Sequence, residues 1–330
     1  MHMLLDDCFR EVDILVIGVG NGGNRAVDAM FSDVDGVDFI AVNTDSFALE
    51  KNYAETKIQI GEKILKGLGT NGNIETGRKA AIESLEIIEK AAEDYDMVLI
   101  VAGMGGGTGG GAAPVIASAI KKKGILTIGV VTKPFLFEGT KRMQNAENGI
   151  NELKENVDTL IVIPNQKLIE SEDKDIDSLE AFRRANRTLK HCVAGIAYLV
   201  VRTGIIGVDF ADVRSLMARE RVLGSVGIGY GKVENNKCNF AAYVEQCKLA
   251  AEAAYKSPLL EVPLEKPKCV IINVIGDENL GILERNKVAE FIDSHIAPDA
   301  EVILSNSFVE SSELSRLDCN ASLLVVIIAK

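Results

Sequence analysis

The sequence predicts an α/β protein: a parallel sheet with helices on both faces, followed by a smaller α/β part. Three observations carry this. Two apolar runs of strand length each lead into a glycine-rich turn and then a helix, at Val12–Ile17 and at Asp96–Val101. Strands and helices alternate as far as Asn165, the pattern of a parallel sheet whose ligands bind beyond the carboxyl ends of the strands. A long helical periodicity then starts near Ser178, and the texture of the chain changes after residue 220.

The elements follow in order. Val12–Ile17 is a strand, and a helix runs from about Arg25 to Phe31. Val37–Val42 and Lys57–Ile60 are strands, the first ending at Asn43-Thr44-Asp45. A polar glycine loop, Gly67–Asn73, precedes a helix from about Glu75 to Asp94. After the strand at Asp96–Val101 and the glycine stretch, Pro114 near a first turn opens a helix, where a missing N–H costs little. Ile125–Val131 is a buried-type strand. A helix spans about Gly139–Asn156, and Thr159–Ile163 is a strand closed by Pro164-Asn165. Leu179, Phe182, Leu189, Val193, Ile196 and Val200 define the long helix, which Thr203-Gly204 stops. Beyond it come a strand at Val222–Tyr230, a helix at Phe240–Tyr255, strands at Cys269–Ile275, Glu301–Ser305 and Leu323–Ile328, and a helix at Leu283–His295. The expected division is 1–177, a central helix at 178–203 acting as a hinge, and 204–330.

Composition narrows the function. The chain has 330 residues, and 47% of them are hydrophobic, enough for a substantial core. A net charge of −12 argues against sequence-independent nucleic-acid binding. Cys8, Cys192, Cys238, Cys247, Cys269 and Cys319 form no Cys-x-x-Cys pair, and read as small core residues in a reducing compartment. His2, His191 and His295 are scattered, so no histidine metal site is expected. No apolar run reaches the roughly 18 residues that would span a membrane, and no signal pattern opens the chain. A cytoplasmic protein without membrane insertion is the expectation. Lys121-Lys122-Lys123 reads as a helix end and the acidic stretch 170–177 as a solvated loop.

Two stretches carry chemistry. Residues 102–114 hold seven glycines in thirteen positions, with Thr108 among them. Glycines allow positive φ and close approach to a ligand, and a helix start offers free N–H groups and a partial positive charge. No Lys lies in the loop, so it is not a Gly-Lys-Ser/Thr phosphate loop; backbone amides and a metal ion must carry the phosphate charge. Gly18-x-Gly20-x-x-Gly23, with Asp45 about 20 residues on, matches a dinucleotide fingerprint of the Rossmann type. An NAD-dependent oxidoreductase is therefore an alternative. Two glycine loops exceed the need of one pyrophosphate, however, and suit a triphosphate better. Asp209 and Asp212, three apart, can orient a water or a metal; equally, they can be a helix cap and a first-turn acid.

Gly103-Met-Gly-Gly-Gly-Thr-Gly-Gly-Gly-Ala-Ala-Pro114 resembles the signature loop of the tubulin/FtsZ superfamily. Ala41–Asp45, Ile58–Glu62, Thr132–Phe135, Phe137–Gly139, Ile163–Gln166, Ala181-Phe182 and Val208–Arg214 are similar in the same order. The resemblance implies a Rossmann-like GTPase domain, a central helix and a C-terminal domain that activates hydrolysis in a neighbour. It implies GTP/GDP and Mg²⁺ as ligands, and an open head-to-tail homopolymer or a co-polymer with another family member. By match to the family's motifs, Gly20, Asn21, Gly22, Asn24, Arg25 and Gly72 join Gly103, Met104, Gly105, Gly106, Gly107, Thr108, Gly109 and Gly110 around the nucleotide. Pro134 flanks it, Glu138 and Arg142 touch the ribose, and Asn165, Phe182 and Asn186 hold guanine. The same match gives Asp209 and Asp212 a catalytic role on the next subunit's γ-phosphate. A filament-forming paralogue with little hydrolysis is the second alternative.

The chain departs from the family's pattern at several points. Gly207 stands for Asn, Arg25 for an Asn near guanine, Gly110 for Thr, and Asn21 for Gly. Thr70–Ile74 replaces Ala-Gly-Ala-Asn-Pro. The sequence stops at Lys330 without the family's usual tail, as a tailless paralogue or a trimmed chain would, and adaptor binding is therefore not among the expectations.

Overall fold

The computed structural model describes residues 12–170, 176–202, 208–218, 223–232, 240–261, 267–277, 280–318 and 322–330. Gly207, the stop at Thr203-Gly204, most of the acidic stretch 170–177, and Cys8, Cys238, Cys319 and His2 lie outside them.

The described strands are β1 Ile14–Val19, β2 Asp38–Asn43, β3 Thr56–Gln59, β4 Met97–Gly103, β5 Leu126–Lys133, β6 Thr159–Pro164, β7 Leu223–Gly231, β8 Cys269–Gly276, β9 Glu301–Phe308 and β10 Leu323–Ala329. The helices are α1 Gly20–Met30, α2 Ser46–Glu50, α3 Glu62–Leu65, α4 Ile74–Glu83, α5 Leu85–Ala91, α6 Gly107–Lys122, α7 Thr140–Lys154, α8 Lys167–Glu170, α9 Ser178–Val201, α10 Phe210–Ala218, α11 Phe240–Tyr255, α12 Ile282–Asp293 and α13 Ser311–Leu317. Strand order across the sheet is β3-β2-β1-β4-β5-β6-β7-β10-β8-β9. Pairing is parallel from β3 to β7, and β10 runs antiparallel to both of its neighbours.

The near-continuous apolar strands are buried on both faces, as parallel strands covered by helices must be. Alternation along β1 sends Ile14 and Val16 into one core, and Leu15, Ile17 and Val19 into the other. The first core lies under α1, α9 and α10; the second lies under α4, α5, α6 and α7. Along β10, Leu324, Val326 and Ile328 join the first core, while Leu323, Val325 and Ile327 face α11 and α12. One apolar layer thus runs through both halves of the sheet, with α9 in its middle. Val193, Ile196 and Leu199 of α9 are fully or almost fully buried, each contributing about 1.5–3 kcal/mol. Between the halves the sheet is continuous, with β6 and β7 joined among the described residues by the pairs Leu160↔Leu223 and Ile161↔Gly224.

Several expectations are corrected. The helix expected from Pro114 begins seven residues earlier, at Gly107, so Pro114 sits inside α6. Glycine is a poor helix former, but here it lets two helices touch. A Cβ on Gly107 would meet Asn73 O at 2.5 Å, and one on Gly111 would meet Ile74 O at 2.1 Å. A Cβ on Gly77 of α4 would meet Gly107 O at 2.1 Å. Close backbone approach to α4, rather than positive φ, is why positions 107 and 111 are glycine. The first helix likewise starts at Gly20 instead of Arg25. The helix expected over 75–94 is broken at Ser84, whose hydroxyl accepts from Gly61 N at 3.3 Å.

Cys192, Cys247 and Cys269 are buried and not in disulfides, and burial pushes the Cys192 thiol up to about 12. Among the described residues no helix is long and apolar enough to cross a membrane.

Candidate functional site

Parallel strands end together, and here their carboxyl ends open into one cavity of about 650 Å³. Val19, Asn43, Gly103 and Thr132 bring the ends of β1, β2, β4 and β5 to its wall, and Asn165 follows β6. The starts of α1 and α6 form its floor. Gly20, at φ +71°, turns β1 into α1, and a Cβ there would meet Gly109 N at 2.9 Å. The two glycine motifs, far apart in the chain, are therefore in backbone contact.

Neither helix start is capped by a side chain, and neither has an acid in its first turn. Elsewhere, Asp45 caps α2, Asn73 caps α4 and Asp177 caps α9. The N–H groups at the starts of α1 and α6, with the positive ends of the helix dipoles, face an open polar space. Such a pair of helix starts is suited to a multiply charged anion. The charged side chains on the wall are nearly balanced: Arg25, Lys141 and Arg142 against Asp45 and Glu138.

Most sequence-predicted residues meet at this cavity. Gly20, Asn21, Gly22, Arg25 and Gly72 line it, as do Gly103, Met104, Gly105, Gly106, Gly107, Thr108 and Gly109. Pro134, Glu138, Arg142, Asn165, Phe182 and Asn186 complete the far wall. Glu138 is fixed on both sides: Oε1 accepts from Phe135 N at 2.9 Å and Oε2 accepts from Arg142 at 2.6 Å. The Phe182 ring is held edge-on by Phe135, with centroids 5.2 Å apart. Asn165 is 4% exposed, and its Oδ1 has no hydrogen-bond partner among the described residues. A buried acceptor left open costs on the order of 1–3 kcal/mol, and this one borders the cavity.

Four predicted residues stand elsewhere. Asn24 lies behind the wall, donating to Gly18 O at 3.2 Å and accepting from Asn43 Nδ2 at 2.6 Å; it braces the β1–α1 turn. Gly110 faces α4 and α7, where a Cβ would lie 3.6 Å from Ile74. Its missing hydroxyl is therefore not one lost from the cavity. Asp209 and Asp212 are exposed and away from the cavity, at the start of α10. The Asp209 carboxylate accepts from Ala211 N at 3.1 Å, the geometry of a helix cap. Arg214 of α10 donates to Gly124 O at 2.6 Å, just ahead of β5. The two acids thus belong to the amino end of the sheet, opposite the cavity.

The sequence reading missed a set of wall residues from separate loops. Thr44 and Thr108 share a hydrogen bond at 2.7 Å, and the Thr70 hydroxyl lies 3.4 Å from Thr108. Asn43 joins Asn21 at 2.8 Å, and Asn145 donates to Gly72 O at 3.1 Å. Asn43 and Thr44 could have been found from their place at the carboxyl end of β2. Thr70 and Asn145 come together only through tertiary contact. Asp45, the acid of the dinucleotide fingerprint, accepts from Ala48 N at 3.0 Å as the cap of α2.

Fold and site together define a nucleotide-binding α/β protein with two helix starts at one ligand. Residues 13–173 match the GTPase domain of the Tubulin/FtsZ family and residues 225–317 the C-terminal domain of the FtsZ family. The chain is 44% identical over 318 residues to the cell division protein FtsZ of Buchnera aphidicola subsp. Baizongia pistaciae, covering 96% of this chain and 78% of that one. It superposes on an empty FtsZ dimer of M. jannaschii with a TM-score of 0.87 at 37% identity, covering 97% of this chain and 88% of that one. GDP-bound CetZ1 from Haloferax volcanii shares the fold at a TM-score of 0.77 and 20% identity, over 96% of this chain and 93% of that one. The chain belongs to the tubulin/FtsZ family and is a GTPase.

Proposed function

We propose that this chain binds GTP in the cavity, assembles head to tail with copies of itself, and hydrolyses GTP at the junction between subunits during cell division, at the division site. The observation that carries the reading is polarity along the sheet. The cavity lies at one end of the strands, and the exposed Asp209 and Asp212 lie at the other. The eight residues of β5 separate the two ends by roughly 25 Å. A copy stacked along the strand direction brings the two acids of one subunit to the cavity of the next. That contact is heterologous and non-closing, so it generates a filament.

Within the cavity the phosphates fit the uncapped starts of α1 and α6. Guanine fits beside Phe182, where Asn165 Oδ1 supplies an acceptor for its N–H groups and Asn186 lies close by; Glu138 and Arg142 suit the ribose. The oxygen-rich wall of Thr44, Thr108 and Asp45 suits Mg²⁺, whose contribution when bound is to neutralise phosphate charge. Asp209 and Asp212 accept hydrogen bonds from the attacking water and orient it.

Turnover per subunit should therefore depend on concentration and fall away on dilution below the assembly threshold. Asp212→Ala should still bind GTP and sediment with it, while hydrolysis slows about 100-fold. Turnover independent of concentration, or unchanged in Asp212→Ala, would remove the shared site.

A further inference from the structure

Lys330 continues the pairing of β10 against β8. Its N–H donates to Cys269 O at 3.0 Å, and its carbonyl accepts from Lys268 N at 2.9 Å. The side chain, however, leaves this half of the sheet. Its ammonium donates to Met217 O at 2.7 Å and to Thr159 Oγ1 at 3.2 Å, and the residue is 7% exposed. Lysine is among the residues least often buried. An apolar chain of the same length would fill the space without stripping an ammonium of water.

The partners show what the ammonium does. Met217 lies in the last turn of α10, where the final carbonyls have no helical donor and the helix dipole is negative. Its carbonyl also accepts from Thr159 Oγ1 at 2.6 Å, at the start of β6. One carbonyl is thus held by β6 and by the end of β10 together. The opposite end of the same nine-residue helix carries Asp209 and Asp212. Between the two ends, Val213 and Leu216 pack into the core and Arg214 grips Gly124 O.

We propose that Lys330 is a positioning residue for hydrolysis in the adjoining subunit: by fastening the carboxyl end of α10 to the end of β10, it fixes where the helix presents Asp209 and Asp212. This rests on the reading that those two acids act on a neighbour's nucleotide. It adds that the end of β10 helps hold the acids in place through the Lys330 side chain, so the placement of that strand is transmitted to the reaction.

The test is a double-mutant cycle on the full chain. GTP turnover above the assembly threshold, the threshold itself and GTP affinity are measured for wild type, Lys330→Met, Asp212→Ala and the double variant, with Lys330→Arg as the conservative replacement. The expected result is a fall in turnover of about tenfold for Lys330→Met, with threshold and affinity unchanged and most of the loss restored by Lys330→Arg. In the Asp212→Ala background Lys330→Met should add less than about twofold, because the group it positions is gone. Wild-type turnover in Lys330→Met, or the same fold loss in both backgrounds, would overturn the inference. Unchanged turnover in Asp212→Ala alone would overturn the shared-site reading and this inference with it, a result distinct from the other two. Should Lys330→Met fail to fold, Thr159→Val removes the second donor to the same carbonyl at nearly constant volume. It should then show the same non-additivity with a smaller loss, about threefold, and additive losses would overturn the inference by this route too.

Discussion

Two polar regions of this molecule look alike by composition and differ in how their groups are answered. Under α9, the His191 ring nitrogens are paired with Tyr230 OH at 2.9 Å and Leu317 O at 3.0 Å. The Lys190 ammonium donates to Asp33 at 2.8 Å and to Arg316 O at 2.9 Å, and Asn273 donates to Gly195 O at 3.0 Å. At the cavity, two helix starts have no side-chain cap and Asn165 Oδ1 has no partner among the described residues. Buried polarity that is answered from inside holds a fold together; polarity left open beside a cavity is arranged for a molecule from outside. Asn306 Oδ1 is also without a partner among the described residues.

The contrast can be attacked from both sides. The largest effect should come from the contact of α4 with α6, the helix whose start lines the cavity. Gly111→Ala puts a methyl group 2.1 Å from Ile74 O and 2.8 Å from Arg78 N, both backbone atoms. The loss in unfolding free energy should be about 3 kcal/mol, read by denaturant titration. Near-wild-type stability would show that α4 and α6 can part at no cost.

On the answered side, burial lowers the His191 pKa to about 4, opposed by the Leu317 carbonyl and Asp318 and assisted by Lys190 and Arg187. The unfolded chain takes up this proton near pH 6.5 and the folded chain only near pH 4. Over that window the unfolded state binds more protons, so stability rises with pH. The contribution is complete above about pH 6.5 and is lost as pH falls toward 4, on the order of 3 kcal/mol in all. Stability profiles of wild type and His191→Gln should diverge in slope across this window; parallel profiles would show that the ring is already protonated in the fold.

The smallest effect is the most specific. Asn165→Ala should leave the nucleotide-free protein as stable as before, because it removes an unpaired acceptor, yet should weaken GTP binding about tenfold. Lower stability without nucleotide and unchanged affinity would reverse the assignment.

Much of this was legible in the sequence because strands and their ends are local. Runs such as Met97–Ala102 and Leu323–Ala329 carry their own signal. Asp209 as a helix cap needed only its neighbours. What escaped reading depends on distance in the chain. The glycines at 107 and 111 read as loop because propensity is a local average, while the reason they are glycine is α4, some 30 residues upstream. Asn24 sits in the right motif but turns inward to Asn43. Thr70 and Asn145 became wall residues only when β1, β4 and β5 were brought side by side. That one apolar layer passes through both halves likewise rests on contacts between distant strands.

The contact between α4 and α6 bears on how glycine signatures are used to trace descent. Gly77, Gly107 and Gly111 form one joint constraint: two of them belong to the stretch that suggests phosphate, and one does not. Each is fixed by the distance between two helices, whatever lies in the cavity. A descendant that lost its nucleotide and kept its fold would keep all three. The letters at 107 and 111 therefore record architecture, and the mark of a working site has to be sought in residues whose polar groups the fold itself leaves unanswered, such as Asn165.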